Sequence, residues 1–324
     1  MAFYGGESVV TGTIHVSRNA RDYSTHVSFL LSGGSLAASN IMLNANFKAT
    51  ADMLWNGTVF KPLVGGVVKE SVFSGNNAKW HINAVGAGGA VFDLSGLDED
   101  ARYRLNQPLT HDESLGPQKD GGLKTVAKGG TLVLGVENSF TGPVCIEEGI
   151  VRAEVSGSVP ENSELIVNEN GVFDANGLVH TVAAVSGSGG LCSNGTVRVT
   201  GDVSPGSSVE FDALLFAEGA RLSLPLSSDG NAYSAGMVIA KSIRAEGAVE
   251  ISFAGEAVKE TLPKGFSAKI GEISGGGRFP SFELDPGLTL PRNHSFALEY
   301  RSSDNGRVEV WTVVRPMGTV IVLR

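Results

Sequence analysis

The chain has 324 residues, 42% of them hydrophobic, and a mean hydropathy of +0.07. That is enough to bury the core of one large domain or two ordinary ones, and it excludes a globally disordered chain. A net charge of −9 without a basic stripe excludes a nucleic-acid surface, and 43 glycines without a Gly-X-Y period exclude collagen and signal many tight turns.

In chain order, the opening "MAFYGGESVV" has neither a basic n-region nor an apolar h-region, so it is not read as a signal peptide. No apolar run approaches the roughly 20 residues of a membrane-spanning helix. "SGGSLAAS" brings a Gly-rich turn into an alternating strand. "GLDEDARYRLNQP", from Gly96 and closed by Pro108, is the best helical candidate in a chain that otherwise lacks helical periodicity.

Two acidic clusters, "DED" at 98–100 and "HDE" at 111–113, the second with His111, flank a loop-like stretch ending in "GPQKDGG". Carboxylates beside a histidine suit a lyase or hydrolase, or a metal. A solvated excursion predicts the same letters and is preferred. Asp98, Asp100, Arg102, His111 and Asp112 are the candidate binding residues if the chain has a binding loop. No catalytic residue, metal ligand or cofactor is assigned.

From Thr131 to Thr200 short strands follow one another: "TLVLG", "PVCIE", "IVRAE", "ELIVN", "GVFDA", "HTVAAVS" and "TVRVT". Gly, Asn, Ser or Pro separates nearly every pair, which predicts an all-β fold and leaves sandwich, barrel and solenoid open. "AVFDLSGL" (90–97) and "GVFDANGL" (171–178) repeat a unit that "VEFDALLF" (209–216) echoes. Such degenerate units bury their apolar faces by stacking on one another, which favours a β-solenoid.

Gly130, Leu132 and Leu134 fit a T-L-x-L strand, and Asn138, Phe140, Thr141 and Gly142 fit the N-x-[YF]-T-G turn after it. Over about residues 121–208 the chain resembles the autotransporter-associated β-strand repeat, with Pro143 and Val144 where that family favours Gly and Thr. The resemblance implies a right-handed parallel β-helix, at about 4.8 Å per rung. It divides the chain into degenerate rungs over 1–120, with a polar loop near 98–121, the repeat core over 121–208, and longer-stranded rungs with a β-rich C-terminal cap over 209–324. One loose division falls near Ser204, Pro205 and Gly206. The cap reading rests on a hairpin expected around Asp304, Asn305 and Gly306, followed by a final strand.

Other residues carry weaker signals. Asp93, Asp174 and Asp212 each follow a Phe, and either align as a cation-binding column or cap turns beside an inward ring; the second is preferred. The six histidines make no H-x-x-x-H or H-E-x-x-H, and Cys145 and Cys192 read as two free thiols. "GGGR" (275–278) reads as a turn, and Trp55, Trp80 and Trp311 read as packing residues before sugar platforms.

Three functions remain in order: a structural stalk or adhesin-like display, a carbohydrate-binding module, and a polysaccharide lyase or hydrolase. The expected site is extracellular or on the cell surface, with the export signal and any translocator barrel outside this chain. Surface glycans or other cell-surface proteins are the expected partners, and no nucleic acid or membrane span is expected.

Overall fold

A computed structural model describes residues 2–16, 26–43, 50–63, 79–229, 232–255, 261–275 and 278–317. The fold is all-β, with 61% strand and no α-helix among the described residues. Its sheets are long and mostly parallel, which fits a β-solenoid. The helix expected from Gly96 to Pro108 does not form. Tyr103 and Leu105 point inward while Arg102 and Arg104 point out, so a period of two prevails and Arg102–Leu105 is a strand. Leu94–Gly96 forms a single 3-10 turn capped by the Asp93 carboxylate, which accepts the Ser95 N–H at 2.9 Å, and a second turn closes where the Ala101 N–H bonds the Asp98 carbonyl at 2.9 Å.

The chain divides into two compact units. The first, residues 1–183 with 190–195, carries three parallel sheets that the chain visits in turn. Lys79–Val85 lies in the first sheet, Ala90–Asp93 in the second and Arg102–Leu105 in the third. The next coil repeats the circuit with Thr110–His111, Leu123–Val126 and Thr131–Leu134. Each strand therefore bonds to a strand one whole coil away.

Register keeps the apolar residues in columns. In the second sheet Leu123 pairs with Val144 and Val144 with Leu165, all fully buried. In the third, Tyr103 pairs with Leu132, Leu132 with Val151 and Val151 with Phe173. Fully burying a Leu or Phe side chain contributes about 1.5–3 kcal/mol by removing its apolar surface from water, so the column is the main favourable term. Earlier coils are filled by rings: Trp55 lies 5.3 Å from Phe92 and 6.0 Å from Phe60, and Tyr103 lies 5.9 Å from Phe60. The indole N–H of Trp55 donates to Asn83 Oδ1 at 2.9 Å, so the ring is buried without an unmet donor.

The second unit, residues 184–189 with 196–324, has one parallel run through Ala184–Gly187, Asp202–Pro205, Arg221–Ser228, Val249–Ala254 and Phe282–Leu284. A second run joins Ser208–Phe216, Met237–Ala245 and Ser267–Ile273 in parallel. Val308–Pro316 then pairs antiparallel with Ser267–Ile273 and with His294–Ser302. The expected hairpin is present: Gly306 has φ +76°, and its N–H reaches the Ser303 carbonyl at 3.1 Å. The expected final strand lies outside the described residues. Lys269 bonds Glu272 at 2.6 Å and Glu309 at 2.8 Å, and Arg307 bonds Glu272 at 3.1 Å, so charge ties the hairpin to the strand it covers.

Candidate functional site

The site is built where the first sheet of the first unit ends. Thr110 and His111 pair with Ala84 and Val85, and Thr110 bridges Ser139 of the following coil. After His111 the chain leaves the coil. Asp112 accepts the Ser114 N–H at 3.0 Å and starts the 3-10 turn Glu113–Leu115. The excursion returns at Asp120 to enter Leu123–Val126.

Asp120 closes this excursion. Its side chain is fully buried, and one carboxylate oxygen accepts the N–H groups of Gly122 at 2.9 Å and Gly142 at 2.8 Å. The other meets the Thr141 N–H at 2.7 Å, the Thr141 hydroxyl at 3.0 Å and the His111 Nδ1 at 2.9 Å. Burial pushes the Asp120 carboxyl up, but the bonds from Thr141, His111, Gly122 and Gly142 outweigh it and hold the group below the usual carboxylate range. The bond to Asp120 in turn raises His111 above the ordinary histidine value.

The repeat-motif residues supply the other half of the clasp. Leu132 and Leu134 are fully buried in the column. Gly130 sits so close to the Ala101 carbonyl that a Cβ would collide with it. Asn138 accepts the Leu109 N–H at 2.8 Å and donates to the Ser158 carbonyl at 2.6 Å, joining the coils on either side. Phe140 is buried, and Thr141 and Gly142 bond Asp120 of the preceding coil. A cleft of ≈ 560 Å³ opens beside His111, Asp112 and Glu113, and another of ≈ 480 Å³ lies beside Glu137, Thr141 and Asn162. Ser139 lines both.

The five candidate binding residues do not gather at one point. Asp98 and Asp100 are exposed on the turn that leads into the third sheet, and Arg102 is exposed on the strand that follows. His111 and Asp112 stand at the end of the first sheet. Sequence reasoning placed Asp120 inside a loop and did not single it out. An Asp directly before Gly121 and Gly122 was the available signal, since close backbone N–H groups suit a carboxylate.

Asp93, Asp174 and Asp212 follow Phe92, Phe173 and Phe211, which are all fully buried. The carboxylates form no column. Asp93 caps a turn, Asp174 accepts the Asn176 N–H at 2.9 Å and pairs Arg152 at 3.3 Å, and Asp212 pairs Lys241 at 2.6 Å. Cys145 and Cys192 are both free thiols, on the second and third sheets. Burial pushes the Cys192 thiol far up, and burial also raises Cys145. His180 is buried edge-on to Phe173, with ring centroids 5.5 Å apart, and burial lowers its pKa. Trp311 donates to Glu309 at 3.0 Å beneath the Arg301 guanidinium, 4.3 Å from the ring centroid. The Trp80 side chain and part of the "GGGR" stretch lie outside the described residues.

Among the described residues no group of three or more His, Cys, Asp or Glu side chains is arranged to hold a metal ion, and no helix is long and apolar enough to cross a membrane. No family model matches the chain, and no curated protein matches it.

Proposed function

We propose that the chain is a structural, surface-displayed β-solenoid of the autotransporter-passenger type, with no catalysis of its own. The observation that carries this reading is the use of its acidic side chains. Asp93, Asp120 and Asp174 each accept backbone N–H groups at turns of the coil and brace it, and Asp112 does the same for the turn of the excursion. The coil is proposed to be right-handed, because crossovers between parallel strands are right-handed in about 98% of cases. The C-terminal hairpin is proposed to cap the stack, since an open sheet edge invites pairing with other chains. The outward positions and the excursions are then free to display loops to glycans or proteins outside the cell.

The test is a panel of neutral and acidic polysaccharides incubated with the folded chain, with retention and product release read in the same samples. Neither signal is expected. Oligosaccharide release would overturn the reading in favour of a lyase or hydrolase. Retention without products would replace it with a carbohydrate-binding module. The combined variant Asp98→Ala, Asp100→Ala, Asp112→Ala should leave a stalk folded and would remove any activity housed in that loop.

A further inference from the structure

The His111 ring is held between acceptors on both sides. Its Nδ1 lies 2.9 Å from the Asp120 carboxylate, and its Nε2 lies 3.3 Å from the Gly116 carbonyl at the crown of the excursion. The Thr141 hydroxyl, 3.0 Å from Nδ1, is also 3.0 Å from Asp120, where only its own hydrogen can bridge the two oxygens. The ring therefore meets oxygen lone pairs at both nitrogens.

A neutral imidazole has one N–H and one lone pair. With the hydrogen on Nδ1, the Nε2 lone pair faces the Gly116 carbonyl. With it on Nε2, the Nδ1 lone pair faces a buried carboxylate. Only the imidazolium donates at both ends. The charged groups that face the ring are Asp120, from the returning segment, and Glu113, from the 3-10 turn, with Asp112 adjacent in the chain. All are acidic and favour the cation.

We propose that His111 is a protonation-dependent clasp: as the imidazolium it ties the excursion over 112–119 to Asp120, and loss of its proton releases that excursion and widens the cleft beside it. Asp120 keeps its four other donors when the proton leaves, so the coil stays closed while the excursion opens. The excursion has few holds of its own. The Leu115, Gly116 and Gln118 N–H groups bond the Asp112, Glu113 and Leu115 carbonyls at 2.9, 3.2 and 3.3 Å, all within the excursion, and at its root the Asp112 N–H bonds the Val85 carbonyl at 3.1 Å. The release therefore exposes the wall of the ≈ 560 Å³ cleft formed by His111, Asp112 and Glu113, against Ile82, Thr110 and Ser139. This inference does not rest on the display role proposed above.

The test uses the full chain, with isotope labels, titrated from about pH 5 to about pH 9 on either side of the ordinary histidine value. The His111 ring resonances and the exchange of the Ser114, Leu115 and Gly116 amides are followed together. His111 should titrate within that range. Protection of these amides, corrected for intrinsic exchange, should fall about tenfold over the same titration, as expected for loss of a charge-assisted bond. Protection that stays flat while His111 titrates overturns the clasp, as does a ring that is neutral throughout. A folded His111→Gln variant should show the low protection at both ends of the range; full protection at low pH in that variant overturns the clasp as well. If the variant does not fold, the titration of the unaltered chain decides alone.

Discussion

The Asp120 carboxylate shows how much one side chain carries. Three backbone N–H groups, a hydroxyl and an imidazole converge on it in a fully buried position. Replacing it by Asn keeps the shape but turns an amide N–H₂ towards donors, leaving buried groups unmet. Asp120→Asn should therefore cost about 3 kcal/mol or more, read from the shift in urea midpoint at constant slope. The pH dependence has two arms. Asp120 is lowered in the folded state, so its contribution is complete above the unfolded value of about 3.9 and is lost as pH falls through the lower folded value. His111 is raised, so its contribution is complete below about 6.5 and is lost as pH rises through the higher folded value. The stability difference between the unaltered chain and His111→Gln should be largest between about pH 4 and about pH 6.5 and shrink above it. A thiol-reactive probe at neutral pH should leave Cys192 untouched in the folded chain and label both cysteines in denaturant, because burial disfavours the thiolate.

At the scale of the strand and its turn, glycine is required where two backbones meet. Gly122 has φ +65°, and a Cβ there would fall on the Pro143 carbonyl oxygen. A Cβ on Gly142 would fall on the Gly122 nitrogen. Gly122→Ala should destabilise by about 2 kcal/mol or more, combining a strained conformation with a backbone collision, and thermal melting would measure it. Asn138→Ala should cost a similar amount, about 2 kcal/mol, because the Leu109 N–H and the Ser158 carbonyl lose their partner. In the motif around Asn138, Phe140 and Gly142, the strand and the turn could be read from residue types alone, but not that Val133 is buried along with Leu132 and Leu134. The helix expected near Arg102 could not be rejected that way. Four residues with Tyr103 and Leu105 inward are too short to display a period, and Leu132 and Leu134 of the next coil decide their conformation.

At the scale of the molecule, the parallel pairings among the described residues join strands a whole coil apart, so closure entropy precedes each favourable contact. Refolding should show more than one phase when denaturant is diluted by stopped flow, because the 324 residues divide into two compact units, and a single phase by two independent probes would contradict that division. The surface pairs matter less. Arg198 grips Glu246 through two bonds at 2.9 and 2.7 Å, and Lys241 pairs Asp212 at 2.6 Å, yet such exposed pairs are screened and add little.

The sequence by itself determined the all-β class, the inward rings of Phe92, Phe173 and Phe211 and the hairpin at Asn305 and Gly306. Those features depend on alternation and on turn residues within a few positions of one another. Only the tertiary structure decided which strands stack, and that Asp120 rather than Asp98 or Asp100 gathers the donors at the root of the excursion. Its partners His111 and Gly142 stand 9 and 22 positions away in the chain, and the length of the coil brings them to one carboxylate.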